Sequence, residues 1–402
     1  MASHPPIELQ TLQAAVGGRA AAFRSRLRLQ PAGGAGTRIF PPTFAGAVYE
    51  FEQRRRPGRD DLVWCAVLDT VQSQANRVEE ALQQALDGGR IELPRVEVDF
   101  AAEDLLDPIG RVTALQAPHR IADAIFRDSE LDGVSFRQSD VGRPLDSARL
   151  DNATPLYELC PTALVFGMWE STGPRGGLGA KFERAYASEI VGIDVPAPQV
   201  LLTQKKRGVR WDRLGVRRDV LILGNAVQWQ VAADPKAKGA IRPSEINHGN
   251  VPFDGDNAGL TMDYAEQTST LSLIALRRLR FPSNEAASTP ERDAAAQTVL
   301  AALGLCGATL ASDAGYGLRS GCVLWPEAPL TWELLDRPGE QPNAFQLDTE
   351  SAIRLLREAV GAAETMGVRW RIEPVALKPS GQLVRLVRQS QERAIQAGAE
   401  SD

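Results

Sequence analysis

The densest group of chemically capable side chains lies in the run Trp169-Glu170-Ser171-Thr172-Gly173-Pro174-Arg175-Gly176-Gly177-Leu178-Gly179-Ala180-Lys181-Phe182-Glu183-Arg184. It offers glycine backbone N–H groups, the hydroxyls of Ser171 and Thr172, the cations Arg175, Lys181 and Arg184, and an aromatic ring at Trp169. Those are the ingredients of a grip on a sugar–phosphate backbone. The spacing excludes the common nucleotide motifs. A P-loop needs glycine immediately before its lysine and a hydroxyl after it, whereas Ala180 and Phe182 flank Lys181. Phe182 also replaces the third glycine of a dinucleotide fingerprint. A flexible surface loop is the competing reading, and composition leaves the two open.

Three other stretches carry usable groups. Asp69-Thr70-Val71-Gln72-Ser73-Gln74-Ala75-Asn76-Arg77 follows an apolar run and opens a helical pattern. A helix start after a strand suits an anion, with Ser73, Gln74, Asn76 and Arg77 to reach sugar or base edges; capping plus a solvated face is the plainer alternative. Pro118-His119-Arg120-Ile121-Ala122-Asp123 spaces His119 and Asp123 as an acid–base pair could use, although packing or hydrogen bonding is the commoner role of such a histidine and the favoured reading. Lys205-Lys206-Arg207, with Arg210, Trp211 and Arg213 behind it, mixes cations and an aromatic as single-strand binders do, or forms a solvated hairpin tip.

Composition narrows the classes. The net charge of −6 argues weakly against nucleic acid, yet the charges are segregated. Arginines 19, 24, 26, 28 and 38 crowd the start, Arg54-Arg55-Arg56 forms a second cluster, and acids gather in Glu97–Asp107. The three histidines (His4, His119, His248) show no i, i+4 pair, so zinc and non-haem iron sites are disfavoured, while carboxylate-bound magnesium stays open. The four cysteines form no C-x-x-C and read as buried thiols. No cofactor is expected. There is no uninterrupted apolar stretch of about 18 residues and no secretory pattern at the N-terminus, so a cytoplasmic protein off the membrane is expected.

These groups need elements to hold them. Leu62–Leu68 reads as a buried strand and Val71–Leu86 as an amphipathic helix ended by Gly88-Gly89. Leu9–Arg28, Pro118–Arg127, Leu271–Leu279, Ala294–Leu303, Thr349–Met366 and Gly381–Ala397 read as helices. Thr162–Phe166, Gln199–Thr203, Asp219–Gln230, Gly321–Trp325, Thr331–Leu335 and Trp370–Val375 read as strands, and 234–260 as loop. The sum is α+β, with a sheet interrupted by large insertions.

Taken in order, several segments resemble a known family. They are Arg38-Ile39-Phe40-Pro41-Pro42-Thr43-Phe44-Ala45-Gly46, Leu68–Arg77, Ala117–Ala124, Phe166–Arg184, Pro243-Ser244-Glu245-Ile246-Asn247-His248-Gly249-Asn250, and Thr261–Gln267. The chain is thereby similar to the CRISPR-associated RAMP protein forming the backbone of type I-G (formerly I-U) effector complexes. The resemblance implies one RRM-like (ferredoxin-like) palm over 1–402, with a finger-like insertion at 91–160 and a thumb-like one at 195–260. It implies a non-catalytic subunit that stacks with copies of itself along the CRISPR guide RNA, beside other subunits of the complex, and meets target DNA through the guide. Arg38, Ser73, Gln74, Asn76, Arg77, His119, Arg120, Trp169, Ser171, Thr172, Lys181, Arg184, Lys205, Lys206, Arg207, Asn247 and His248 are then the expected RNA contacts. The short aromatic motif of sequence-reading RRMs is not found, which favours backbone grip over base readout. A RAMP endoribonuclease using His119, or a metal-dependent one using an exposed Asp69, is the alternative. A small-molecule enzyme with a glycine-rich loop is a third reading.

Overall fold

The computed structural model describes residues 4–401 except 47, 57, 59, 174–175, 177–178, 204–213, 218, 226–227, 235–236, 247, 249–258 and 284–286. The expected contacts Lys205, Lys206, Arg207 and Asn247 lie outside the described residues. Contacts divide the chain into two units: Met1–Ala101 with Gly110–Pro196 and Gly259–Ser380, and Ala102–Ile109 with Ala197–Ala258 and Gly381–Asp402.

The first unit is organised by strict alternation. In β1 (Ala22–Pro31), Phe23, Ser25, Leu27 and Leu29 are buried while Arg24, Arg26 and Arg28 take the other face. Eight further strands complete its sheet: β2 (Phe51–Arg55), β3 (Leu62–Asp69), β4 (Tyr186–Ile193), β5 (Tyr264–Ser272), β6 (Tyr316–Arg319), β7 (Cys322–Pro326), β8 (Thr331–Leu335) and β9 (Asn343–Gln346). The order is β6-β7-β1-β5-β4-β3-β2, with β8 on the start of β1 and β9 on β8. Every pairing is antiparallel.

Helix α1 (Leu9–Gly17), α2 (Val71–Asp87), α3 (Pro290–Asp313) and α4 (Thr349–Thr365) supply the other layer. α3 packs against the other three, and α2 lies against β4. Close approach explains two glycines of α3. A Cβ on Gly307 would sit 2.6 Å from a Val78 methyl of α2, and one on Gly304 3.1 Å from Leu271 of β5. Among the described residues α3 is the one helix long and apolar enough to cross a membrane, but 89% of that apolar window is buried inside the protein. All four cysteines are buried and free. The architecture is mixed α+β, helices on an antiparallel sheet, consistent with an RRM-like palm carrying insertions.

A smaller sheet of the same unit orders Arg111–Thr113, Val96–Asp99, Val375–Pro379, Ser129–Leu131 and Val134–Ser135. Val375–Pro379 runs parallel to Val96–Asp99 and antiparallel to Ser129–Leu131. It fixes the segment around residues 120–137, on which the site depends.

Several local expectations are corrected. Leu9–Arg28 splits at Gly17-Gly18, and the strand that follows is the alternating β1. Thr162–Phe166 is a helix; all five residues are buried, which removes the periodicity that separates helix from strand, and Gly167 at φ 83° ends it. Pro118–Arg127 is a 3₁₀ turn, Arg120–Ala122, followed by a short helix, Ala124–Arg127, because Arg120 takes φ 53°. The 271–279 helix shrinks to Leu273–Leu276 after β5. Pro198–Thr203 is helical, and Pro374, lacking an N–H, delays the 370–375 strand until Val375.

The second unit holds the hairpin Ile222–Gly224/Trp229–Val231, the 3₁₀ turn Pro243–Ile246 and the helix Gly381–Ser401. Arg388 meets the Asp104 carboxylate at 2.6 Å, and Gln391 Nε2 donates to the Asp107 carbonyl at 2.8 Å.

Candidate nucleic-acid interface

The helix start after β3 is built around a buried acid. Thr70 Oγ1 accepts from Ser73 N at 3.3 Å and caps α2. Asp69 is buried, and its Oδ2 accepts from Gln74 Nε2 at 2.6 Å and Arg77 Nε at 2.8 Å. Gln74 Oε1 in turn accepts from Ser188 Oγ at 2.9 Å and Gln267 Nε2 at 2.7 Å, while Arg77 also donates to the carbonyls of Gly317 and Leu318. Gln74 is therefore a core residue that ties α2 to the sheet, and the Arg77 guanidinium is turned toward the fold. Asn76 is exposed and Ser73 half-buried. Asp69, expected to be exposed, is not, because it is the acceptor that orders this corner.

The histidine stretch separates in the same way. His119 is exposed, but Asp123 Oδ2 accepts from the His119 backbone N–H at 3.3 Å and Oδ1 from Ile125 N at 3.1 Å. Asp123 is a helix cap, and no His119 side-chain contact to it is seen. Arg120 is buried, with Nε and one terminal nitrogen 2.7 Å from the two Glu79 carboxylate oxygens. Its third nitrogen donates to the Gly167 carbonyl at 3.0 Å. Burial pushes the Glu79 carboxyl up, and the guanidinium opposes that rise.

The glycine-rich run is a two-stranded hairpin at its base, Met168–Trp169 paired with Lys181–Phe182. Phe182 and Met168 are buried, whereas Trp169 is 64% exposed and the Lys181 ammonium sits 5.4 Å from its ring centroid. Ser171, Thr172, Lys181 and Arg184 are all at the surface. The Glu170 carboxylate fills the inside of the turn. A Cβ on Gly173 would approach its Oε1 to 2.4 Å, and one on Gly179 would reach the Glu170 carbonyl at 1.9 Å. The glycines let the chain wrap a buried side chain. Gly167, at the other end, has φ 83°, and a Cβ there would meet Arg184 Cγ at 2.8 Å.

The structure thus brings Trp169, Ser171, Thr172, Lys181 and Arg184 onto one short exposed hairpin. Arg38 is exposed beside the Ile39–Leu260 bridge. His248, in the second unit, packs edge-on against Trp229 with centroids 5.1 Å apart. Sequence reasoning missed the residues that shape the hairpin, Arg127, Arg137 and the role of Glu170. The available signal was an acid within a glycine-rich run, and arginines directly after the fully buried Phe126 and Phe136. Among the described residues no three of His, Cys, Asp and Glu are grouped to hold a metal ion.

Residues 23–197, a little under half of the chain, match the family described as CRISPR-associated protein GSU0053. That span includes α2, the 120–137 segment and the whole hairpin, and over it the chain carries the pattern of a CRISPR-associated protein family. No curated protein matches the chain.

Proposed function

We propose that this chain is a non-catalytic, CRISPR RNA-binding backbone subunit of a cytoplasmic type I-G effector complex. On this reading copies of it stack along the guide RNA, contact the other subunits, and present the guide for pairing with target DNA. The observation that carries the reading is the exposed Trp169/Lys181/Arg184 hairpin inside the segment matching a CRISPR-associated family. A planar ring gives any base a face to stack on, and cations with hydroxyls grip sugar and phosphate, so a guide of any spacer sequence is accommodated. The Asp123 carboxylate is spent on the backbone N–H groups of His119 and Ile125, and buried Asp69 on Gln74 and Arg77, an arrangement that favours holding RNA over cutting it.

The test is incubation of the purified protein with a repeat–spacer RNA, with and without magnesium. The reading expects RNA-dependent assembly into species of several copies and intact RNA. Site-specific cleavage abolished by His119→Ala would replace it with the endoribonuclease reading.

A further inference from the structure

Three arginines of the 120–137 segment each end on a different residue of the glycine-rich hairpin. Arg120 donates to the carbonyl of Gly167 at 3.0 Å, where the hairpin begins. Arg127 donates to the Thr172 carbonyl at 3.2 Å and to its hydroxyl at 3.3 Å. Arg137, 7% exposed, holds the two Glu170 oxygens at 2.8 and 3.2 Å and also pairs with Asp146. The segment is itself anchored, since Phe126 and Phe136 are fully buried and Ser129–Leu131 is laced to Val375–Pro379. Bidentate and carbonyl-directed arginine contacts fix direction as well as distance.

We infer that Arg137 and Arg127 are positioning residues for nucleic-acid binding: they hold the hairpin in its binding shape without touching the ligand. The inference rests on the RNA-binding reading above. Its physical basis is that a loop already ordered before binding loses less conformational entropy when RNA arrives. The glycine content that made the run look flexible instead lets it close around Glu170, which Arg137 locks.

The experiment is guide RNA binding measured against salt for wild type, Arg137→Met, Glu170→Gln, Arg127→Ala, and Arg137→Met with Glu170→Met together. The three single variants should each bind more weakly, by roughly tenfold, the scale of re-ordering one or two loop side chains. Their salt slopes should stay at the wild-type value, because no phosphate contact is lost. Hydrogen exchange of the Glu170 amide, which donates to Ala180, should speed up in the free variants. The paired replacement should recover affinity relative to either single one, since neither member of the buried Arg137–Glu170 pair is left charged alone, and Asp146, which loses Arg137, is partly exposed to water. A slope flattened in Arg137→Met, or tighter binding by Glu170→Gln, would mean that Arg137 grips phosphate itself and would overturn the inference. So would wild-type affinity in the variants. Should Arg137→Met fail to fold, half-exposed Arg127→Ala carries the same comparison. Absence of RNA binding by the wild-type protein is a separate failure, that of the functional reading.

Discussion

Arg120 grips Glu79 through two 2.7 Å contacts while standing at φ 53°, a backbone position that side-chain-bearing residues seldom adopt. Both members are buried, and the guanidinium's remaining nitrogen reaches Gly167. One side chain thereby joins α2, the 120–137 segment and the root of the hairpin. Arg120→Ala leaves the Glu79 carboxylate buried without its partner and should lower unfolding free energy by about 3–5 kcal/mol. Urea denaturation measures this, and Arg120→Ala combined with Glu79→Ala should lose less than the sum of the two single changes.

Trp169 and Lys181 make separable contributions. Trp169→Ala should weaken single-stranded RNA binding by about 1–3 kcal/mol, similarly for any base composition, and leave the salt slope unchanged. Titrations with homopolymeric RNAs at two salt concentrations resolve the two quantities.

Helix glycines should answer substitution in opposite directions. Gly307→Val pushes into Val78 and Leu82 of α2 and should cost about 1–3 kcal/mol. Gly361, in α4, has open space around its would-be Cβ, so Gly361→Ala should gain about 0.4–1 kcal/mol. Thermal unfolding of both variants checks the sign.

Asp348 caps α4 by accepting from Ser351 N at 2.8 Å, and that hydrogen bond holds its carboxyl below the ordinary 3.8. A lowered carboxyl adds stability above its unfolded-state value and loses it as pH falls through the folded one. Asp348→Ala should therefore cost about 1 kcal/mol at neutral pH, the usual worth of such a cap. The difference from wild type should shrink as pH drops below about 4, which melting curves from pH 3 to 7 record.

How much of this was legible depends on the range of the interaction. β3 and α2 were readable because Leu62–Leu68 is an unbroken strand-forming run and Val78, Leu82 and Ala75 share one helix face. β1 was hidden inside a helix-like composition, although its alternation of Arg24, Arg26 and Arg28 with Phe23, Leu27 and Leu29 was in plain view. α3 was read short, since Gly304 and Gly307 look like breakers until α2 and β5 are packed against them. At the site, the exposed groups Trp169, Lys181 and Arg184 were visible from residue type. The burial of Gln74 and Arg120 was not, because their partners Gln267 and Glu79 lie 193 and 41 residues away. The clasp of Arg137 on Glu170 spans 33 residues, and no local pattern encodes it.

In the proposed function the hairpin grips guide RNA through phosphate contacts of Lys181 and Arg184. The most direct measurement is the salt dependence of guide RNA affinity for wild type and for Lys181→Ala with Arg184→Ala. The account expects wild-type affinity to fall steeply with salt, and the double variant to bind more weakly with a slope shallower by about 0.7 for each contact removed. Equal affinity and equal slope in the two proteins would contradict it.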